Sequence, residues 1–442
     1  MRILIITHYF PPLNSVASMR PYSWAKYWSR AGHCITVLTT KKYPFDGPLD
    51  LGCRLPNSVQ VLEIPYMPAF LGKIFGKLRP QSPQGFQAGR HSLHWTSVKK
   101  ISAILRRKSG SFGDTSNPWV AAAIARAGSS FRNWNFDVMV STFGPPATHV
   151  VASILKRRFM KTRWVADYRD LWSGNHLSSS AWPISSVEVF LEKAILSKCD
   201  LATTISKPLA DHIRGLLNKP VEVIENGFDQ EEYEKLPRAR LFPEDGTTRF
   251  VYTGTIYPGK RDPSPIFKAV KALERENRLR PHQCRLIFFG GAAGDLQDLV
   301  RQNQAEEWVD IMGHVDRHTA LRAQRDADAL IFLEWNDPSA RGVLTGKIFE
   351  YIRSGRPILG IGIDDRLTES GILLRRIGNA HCYGTNVEQL KEAIMEIRSS
   401  PKRKIDIDAA AIQPFRRDLL ALRYLDALQY LSESNTKQGI SG

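Results

Sequence analysis

Tyr252-Thr-Gly-Thr-Ile-Tyr-Pro-Gly-Lys-Arg-Asp262 is the stretch whose reading decides the fold. The apolar run 250–253 stops at Gly254, a short loop follows, and Pro263 suits the first turn of a helix. Strand, glycine, loop and helix in that order open a doubly wound α/β domain, whose ligands collect at the carboxyl ends of the strands. Gly254 permits close backbone approach, while Lys260, Arg261 and a helix N-terminus all favour a phosphate. The stretch by itself is equally compatible with a plain turn carrying solvated cations.

Outward from this point the alternation continues in both directions. Strand-like runs fall at 3–7, 35–39, 59–64, 138–142, 164–167 and 202–205, then at 250–253, 286–289, 310–312, 329–333 and 358–361, with helix-length amphipathic segments between. Gly32 stands where a helix ends, and Pro145 and Pro146 suit the start of another. At 442 residues the chain is too long for one ordinary domain. Residues 1–229 are expected to form one Rossmann-like domain and 247–405 a second, joined by a charged linker over 230–246. From 406 onward an amphipathic helix over about 409–431 is expected to pack back across the domains. Two such domains facing each other leave an interdomain cleft at the carboxyl ends of both sheets.

Composition narrows the class. Hydrophobic residues make up 43% of the chain and there are ten tryptophans, enough for real cores. The apolar start breaks at Thr7, too soon for a secretory leader, and no run approaches the length of a membrane span. Five scattered cysteines (Cys34, Cys53, Cys199, Cys284, Cys382) contain no CxxC pair, which fits free thiols in a reducing, cytoplasmic setting. Charge is unevenly spread. Residues 1–205 hold 26 Lys/Arg against 10 Asp/Glu, whereas the rest hold 35 against 34, so the first half is expected to meet something anionic.

Three further stretches carry chemistry. In Thr345-Gly-Lys-Ile-Phe-Glu-Tyr-Ile-Arg-Ser-Gly-Arg-Pro357, Thr345 and Gly346 open a helix, and Lys347 and Glu350 share a face. A cation near phosphate and a carboxylate for ribose hydroxyls would suit a nucleotide; a surface i,i+3 pair is the plainer alternative. Asp167-Tyr-Arg-Asp170 ends a strand, and either carboxylate could orient or deprotonate a hydroxyl, or else cap the next helix and pair with Arg169. In the loop 11–20, Asn14, Ser15 and above all Arg20 are candidate acceptor or anion contacts. Asp326-Ala-Asp328 has the spacing of a metal-dependent transferase motif but lies at a helix end before an apolar strand, so no metal and no cofactor is expected.

The shared order of these motifs, with Phe288-Phe-Gly-Gly291, Met312-Gly-His-Val315 and Lys347-x-x-Glu350-Tyr-x-x-x-Gly355-x-Pro357, resembles glycosyltransferase family 4, retaining enzymes of the two-Rossmann-domain (GT-B) type. Thr7-His-Tyr-Phe-Pro-Pro12, Gly32-His33 and Ile224-Glu-Asn-Gly-Phe-Asp229 agree, and the ensemble is most similar to the bacterial surface-polysaccharide branch typified by N-acetylfucosamine transferases. The resemblance implies transfer of a sugar from a UDP-linked donor, held by the second domain, to a lipid-linked (polyprenyl-diphosphate) saccharide in polysaccharide, O-antigen or capsule biosynthesis. It places Gly254, Thr255, Lys260, Arg261, Gly291, His314, Val315, Thr345, Lys347 and Glu350 around the donor, with Lys260, Asp167 and Asp170 in catalysis and Arg169 beside Asn14, Ser15 and Arg20 on the acceptor side. The chain departs from the family pattern at Gly342, where many members carry a glutamate eight positions before Glu350.

Between Glu63 and Asp114 there is no acidic residue but there are nine cations. Phe70, Lys73, Phe75, Lys77, Lys99, Lys100, Arg106 and Arg107 combine apolar anchors with basic flanks, the composition of a helix lying on an anionic leaflet. This segment, about 66–118, would seat the protein peripherally on the inner face of the cytoplasmic membrane; a domain-packed excursion or a nucleic-acid patch are the alternatives, and no nucleic-acid motif is present. Rival functions are a nucleotide-sugar epimerase of the same fold, which needs neither acceptor nor membrane, and an inactive scaffold.

Overall fold

The computed structural model describes residues 1–442 except 45, 67–113, 115, 132–133, 176–181, 258, 292, 336–339, 365, 379–380, 401–403, 406–408 and 439–442. The basic segment, with Phe70, Lys73, Phe75, Lys77, Lys99, Lys100, Arg106 and Arg107, therefore lies outside the described residues. The chain divides into two compact units, Met1–Ile224 with Ala421–Gly442, and Glu225–Leu420.

The first unit holds β1 (Arg2–Thr7), β2 (Cys34–Thr40), β3 (Gln60–Ile64), β4 (Val138–Thr142), β5 (Arg163–Tyr168), β6 (Leu201–Thr204) and β7 (Val221–Val223). They form one parallel sheet in the order β3-β2-β1-β4-β5-β6-β7. Parallel strands covered on both faces read as continuous apolar runs. β4 is accordingly buried throughout, and Ile3 to Ile6 of β1 are wholly buried. The described helices of this unit are α1 (Val16–Arg30), α2 (Trp119–Ser130), α3 (Ala147–Arg158), α4 (Ile184–Leu196) and α5 (Lys207–Leu217).

The second unit holds α6 (Gln230–Glu234), β8 (Thr248–Thr253), α7 (Ser264–Arg275), β9 (Cys284–Phe289), α8 (Ala293–Gln302), β10 (Val309–Gly313), α9 (Arg317–Asp326), β11 (Ala329–Leu333), α10 (Gly346–Ser354), β12 (Ile358–Ile361), α11 (Glu369–Arg376), β13 (His381–Gly384), α12 (Val387–Ser399) and α13 (Ala409–Ile412). Its parallel sheet runs β10-β9-β8-β11-β12-β13. The order reverses between β8 and β11, as it does between β1 and β4 in the first unit. These reversals are the topological switch points at which doubly wound sheets bind ligands.

Two expectations are corrected. The stretch 230–246 is not a free linker: α6 begins it, Glu232 accepts a bidentate bond from Arg317 (Nε and Nη2, 2.6 Å each), and the Tyr233 hydroxyl donates to the Glu350 carbonyl at 2.8 Å. Nor is the helix after 409 continuous. Pro414 sits in a 3₁₀ turn, Gln413–Phe415, and the long helix α14 (Arg417–Gln438) starts after it. From Ala421 this helix belongs to the first unit, where Tyr424, Leu425 and Leu428 join a core with Trp24 and Trp28 of α1. The Trp28 indole donates to the Ala421 carbonyl at 2.7 Å.

The first unit has a polar centre at Asp167, which is 0% exposed. Its Oδ1 accepts from Arg20 Nη2 at 2.7 Å and from Thr203 at 2.9 Å; its Oδ2 accepts from Arg20 Nε at 3.2 Å and from Thr142 at 2.9 Å. Thr203 in turn shares a hydrogen bond of 3.0 Å with the Tyr424 hydroxyl. One carboxylate thus ties α1, β4, β5 and β6 together and reaches α14 through Thr203. Removing one partner of a buried pair strands the other charge, at a cost of about 3–5 kcal/mol. Arg20→Ala is therefore expected to move the first unit's urea midpoint sharply downward, while Arg169→Ala leaves it nearly in place. Equal midpoints for Arg20→Ala and the parent protein would remove Asp167 from this role.

Candidate functional site

In the second unit the strand ends themselves build a site. Gly254 follows β8 with φ of +135°, and Gly290 follows β9 with φ of +139°. The Gly254 amide donates to the Phe289 carbonyl at 2.8 Å, and the Gly290 amide donates to the Gly313 carbonyl at 2.7 Å. A Cβ on Gly290 would collide with the Gly254 carbonyl, and one on Gly254 would collide with Lys347 Nζ. Both glycines are thus required by close approach and by positive φ, a region costly for other residues. Around this edge lie Thr255 and Gly291, both exposed, then the exposed His314 and half-buried Val315 just after β10.

Lys347 enters from the first turn of α10, beginning at Gly346 behind an extended Thr345 at the cap position. Lys347 and Glu350, which the sequence places on one helical face, point to different neighbours. Lys347 Nζ sits 4.0 Å from the centroid of the Tyr252 ring. Burial, reinforced by the nearby Arg261 charge, drives its pKa well below the ordinary lysine value. Glu350 is buried, with Oε1 3.0 Å from Arg317 Nη2 and Oε2 accepting from Gln324 at 3.3 Å. Burial alone would raise its carboxyl, but the Arg317 and Arg417 guanidiniums outweigh that and hold it below the usual carboxylate range. Gln324 also donates to Thr253 Oγ1 at 2.9 Å, joining Glu350 to the end of β8.

The loop after β8 carries two cations, each beside an aromatic ring. Lys260 Nζ lies 3.7 Å from the Trp335 ring centroid, and the Arg261 guanidinium lies 5.1 Å from that of Tyr257. Among the described residues neither Arg261 nor Lys347 takes part in an ion pair. Glu334, immediately after β11, belongs to none of the sequence motifs. Its Oε2 is buried with no hydrogen-bond partner among the described residues. Burial raises its pKa, against the pull of Ser370 and of the Arg261 and Lys347 cations. Gly254 and Glu334 therefore stand at the carboxyl ends of the two strands flanking the switch point. Asp326 and Asp328 are engaged with backbone, accepting from the Leu241 and Arg249 amides at 2.7 and 2.8 Å.

In the first unit the candidates separate. Arg20 is not an open anion contact, because Asp167 holds it inside. Asp167 pairs with Arg20 and not with Arg169, and its burial leaves Asp170 as the more accessible carboxylate of the two. Arg169 donates to the Phe143 carbonyl at 3.0 Å, stacks 4.5 Å above the Tyr9 ring and lies 3.8 Å from Asp170. Ser15 caps α1 by accepting from the Ala17 amide at 3.2 Å, and Asn14 donates to Asp50 at 2.9 Å.

Comparison with known proteins fits this architecture. Residues 17–227 match the family model described as a Glycosyl transferase 4-like domain. Among solved structures, sucrose-phosphate synthase from Thermosynechococcus elongatus is similar with a TM-score of 0.63 at 15% identity, over 98% of this chain and 100% of that one. A trehalose-6-phosphate structure from E. coli bound with UDP-2-fluoro glucose gives 0.56 at 11% identity, over 99% and 98%. The UDP-GlcNAc 2-epimerase from Methanocaldococcus jannaschii gives 0.51 at 12% identity, over 97% and 100%. No match is found among curated protein sequences. The fold is that of the GT-B type, and the family match over the first unit supports a glycosyltransferase.

Gly290→Ala tests the strand-end site without touching a charge. The added methyl group must displace the Gly254 carbonyl, so pyrophosphate binding by calorimetry is expected to weaken at least tenfold, with a lowered melting temperature. Gly246→Ala, also at positive φ but with open space around it, should leave pyrophosphate binding unchanged.

Proposed function

We propose that this protein transfers a sugar, with retention of anomeric configuration, from a nucleoside-diphosphate sugar bound by the second unit. The observation that carries the proposal is the meeting of Gly254, Lys347, Arg261 and a Glu334 oxygen that has no partner among the described residues, around the β8–β11 switch point. Arg261 and Lys347, in no ion pair among the described residues, suit a diphosphate, whose charge grows as the glycosidic bond breaks. Cations held ready for that charge act mainly on the transition state, which is where binding accelerates chemistry.

Lys260 and Arg261 would bind the diphosphate from the loop, Lys347 and the Thr345–Gly346 amides from the helix, and His314 and Val315 would border the base. Glu350, kept ionised by Arg317 and Arg417, would accept from ribose hydroxyls. Glu334 would take a hydroxyl of the donor sugar and supply the carboxylate that position 342 lacks. On the acceptor side, Asp170 with Arg169 is the pair placed to orient a hydroxyl, since Asp167 is committed to Arg20. The donor base is taken as uracil. The acceptor is taken as a polyprenyl-diphosphate-linked saccharide of the N-acetylfucosamine-transferase kind of surface-polysaccharide assembly, met at the inner face of the cytoplasmic membrane. No described helix is long and apolar enough to cross a membrane.

Release of UDP from UDP-sugars, measured with and without a polyprenyl-diphosphate saccharide, tests the reaction. Acceptor-dependent release supports it, whereas epimerised sugar formed without acceptor would overturn it. Glu334→Gln is expected to lower kcat/KM for the UDP-sugar by about 10–100-fold, as losing one strong donor contact does, while leaving UDP affinity intact. Lys347 gives a pH test. Burial holds its pKa well below the ordinary lysine value, whereas a bound diphosphate favours the protonated form and would raise it. UDP binding should therefore take up protons and weaken as pH rises. Calorimetry in buffers of different ionisation enthalpy would detect the uptake, which Lys347→Met should abolish.

A further inference from the structure

Helix α4 is built inside out. Glu188, Glu192 and Leu196, spaced by four, face inward, and Glu192 is 1% exposed. The Glu192 carboxylate accepts from the Tyr168 hydroxyl at 2.7 Å and from the Ser173 amide at 2.9 Å. Steps of four, three and four residues along the opposite face give Pro183, Val187, Phe190 and Ala194, all exposed, with Trp182 at the head. Trp182 is 81% exposed and Phe190 69%. An ordinary surface helix shows its acids; here both acids lie inward with Leu196, and Val187 and Phe190 lie outward.

The surroundings of the stripe are basic. Lys193 and Lys198 are exposed along and just beyond α4. The end of α3 meets the end of α4 through Asp200, which pairs with Lys156 at 2.8 Å and with Arg163 at 2.9 Å. Arg157, Arg158 and Lys161 are exposed at that junction, together with Met160, which is 73% exposed. The acids of this region are turned inward or paired: Glu188 and Glu192 are buried, and Asp200 has its two cations. On the neighbouring α5 the exposed Asp211 is paired with Arg214 at 2.7 Å. The outer surface of α4 is therefore apolar, aromatic and positively fringed.

We propose that this face of α4 docks on an anionic lipid surface, with Trp182, Val187 and Phe190 entering the headgroup region and Lys193, Lys198, Arg157, Arg158 and Lys161 meeting lipid phosphates. Charge complementarity selects lipid over a second copy of this chain, because two copies of a basic face repel. A helix lying in the interface with aromatic anchors and lysine flanks needs no spanning segment. The proposal deepens the membrane placement proposed above, yet it uses residues independent of the basic segment 67–113 and of the donor site.

Flotation of the full chain with phosphatidylethanolamine–phosphatidylglycerol vesicles, against phosphatidylcholine vesicles, is the test. The parent protein is expected to float with the anionic vesicles only. Trp182→Ser with Phe190→Ser should weaken that association at least about tenfold, and Lys193→Gln with Lys198→Gln should reduce it while making it less salt-dependent. These exposed substitutions should leave pyrophosphate binding and the melting temperature unchanged, which separates lost docking from lost folding. A parent protein that does not float would overturn the proposal. Flotation unaltered by Trp182→Ser/Phe190→Ser but abolished by neutralising Lys73, Lys77, Lys99 and Lys100 would assign docking to the basic segment and refute it for α4. A change of sedimentation mass in the double variant without vesicles would assign the face to self-association instead.

Discussion

The first unit depends on a carboxylate that water does not reach. Burying an ion costs several kcal/mol even after relaxation, and only dense, well-aimed partners offset it. Asp167 has them: Nε and Nη2 of the Arg20 guanidinium and the hydroxyls of Thr142 and Thr203. Because Arg20 lies 147 residues away in sequence, the pair fixes α1 against the middle of the sheet. Its geometry also settles how Arg20 and Asp167 can act. An arginine held bidentately inside cannot reach for a ligand, and a carboxylate with four hydrogen bonds has little lone-pair capacity to spare for a substrate proton. The neighbouring Asp170 lies partly open beside Arg169, and of the two carboxylates of Asp167-Tyr-Arg-Asp170 it is the accessible one.

That distinction marks the limit of what could be read in advance. Strand positions were legible because a parallel sheet covered on both faces writes itself as unbroken apolar runs, and β11 and β12 fall where those runs do. β13 escaped because His-Cys-Tyr-Gly is short and mixed. The break at Gln413–Phe415 was written in Pro414, but the amphipathic pattern on either side masked it. Asp167 and Asp170 look alike in sequence, since which one is buried depends on Arg20 and Thr203, far away along the chain. Glu334 carried a signal, a charged residue directly after an apolar strand. Its meaning required the sheet order, which places β11 beside β8 although three helices and two strands intervene.

The charge asymmetry likewise needed the structure to become specific. An excess of cations in the first 205 residues says only that something anionic is expected there. The fold divides those cations into kinds. Arg20, Lys156 and Arg163 are absorbed by internal carboxylates, whereas Arg157, Arg158, Lys161, Lys193 and Lys198 remain outside. Glu192 of α4 is spent on Tyr168 and Ser173 and Glu188 is buried, so neither stands beside the outer lysines. A helix that turns glutamates inward and a tryptophan and a phenylalanine outward accepts a desolvation cost on both faces, which is sustained when the outer face has an apolar, anionic environment to enter.

The second unit shows the same physics applied to opposite charges in one place. Burial lowers the pKa of Lys347 and raises that of Glu334, each toward its neutral form. Were the two in contact they would relieve one another as an ion pair; instead Lys347 rests on the Tyr252 ring and Glu334 keeps an oxygen without a partner among the described residues. The site is therefore unsatisfied in both signs at once. A ligand that carries negative charge at one end and hydroxyl donors at the other relieves both groups, and a nucleoside-diphosphate sugar has that polarity. A bare nucleotide would relieve only the lysine. On the proposed function, discrimination for the complete donor would follow from the cost of leaving the Glu334 Oε2 unmatched, because a polar group stranded in a site penalises the incomplete ligand more than a matched contact rewards the complete one.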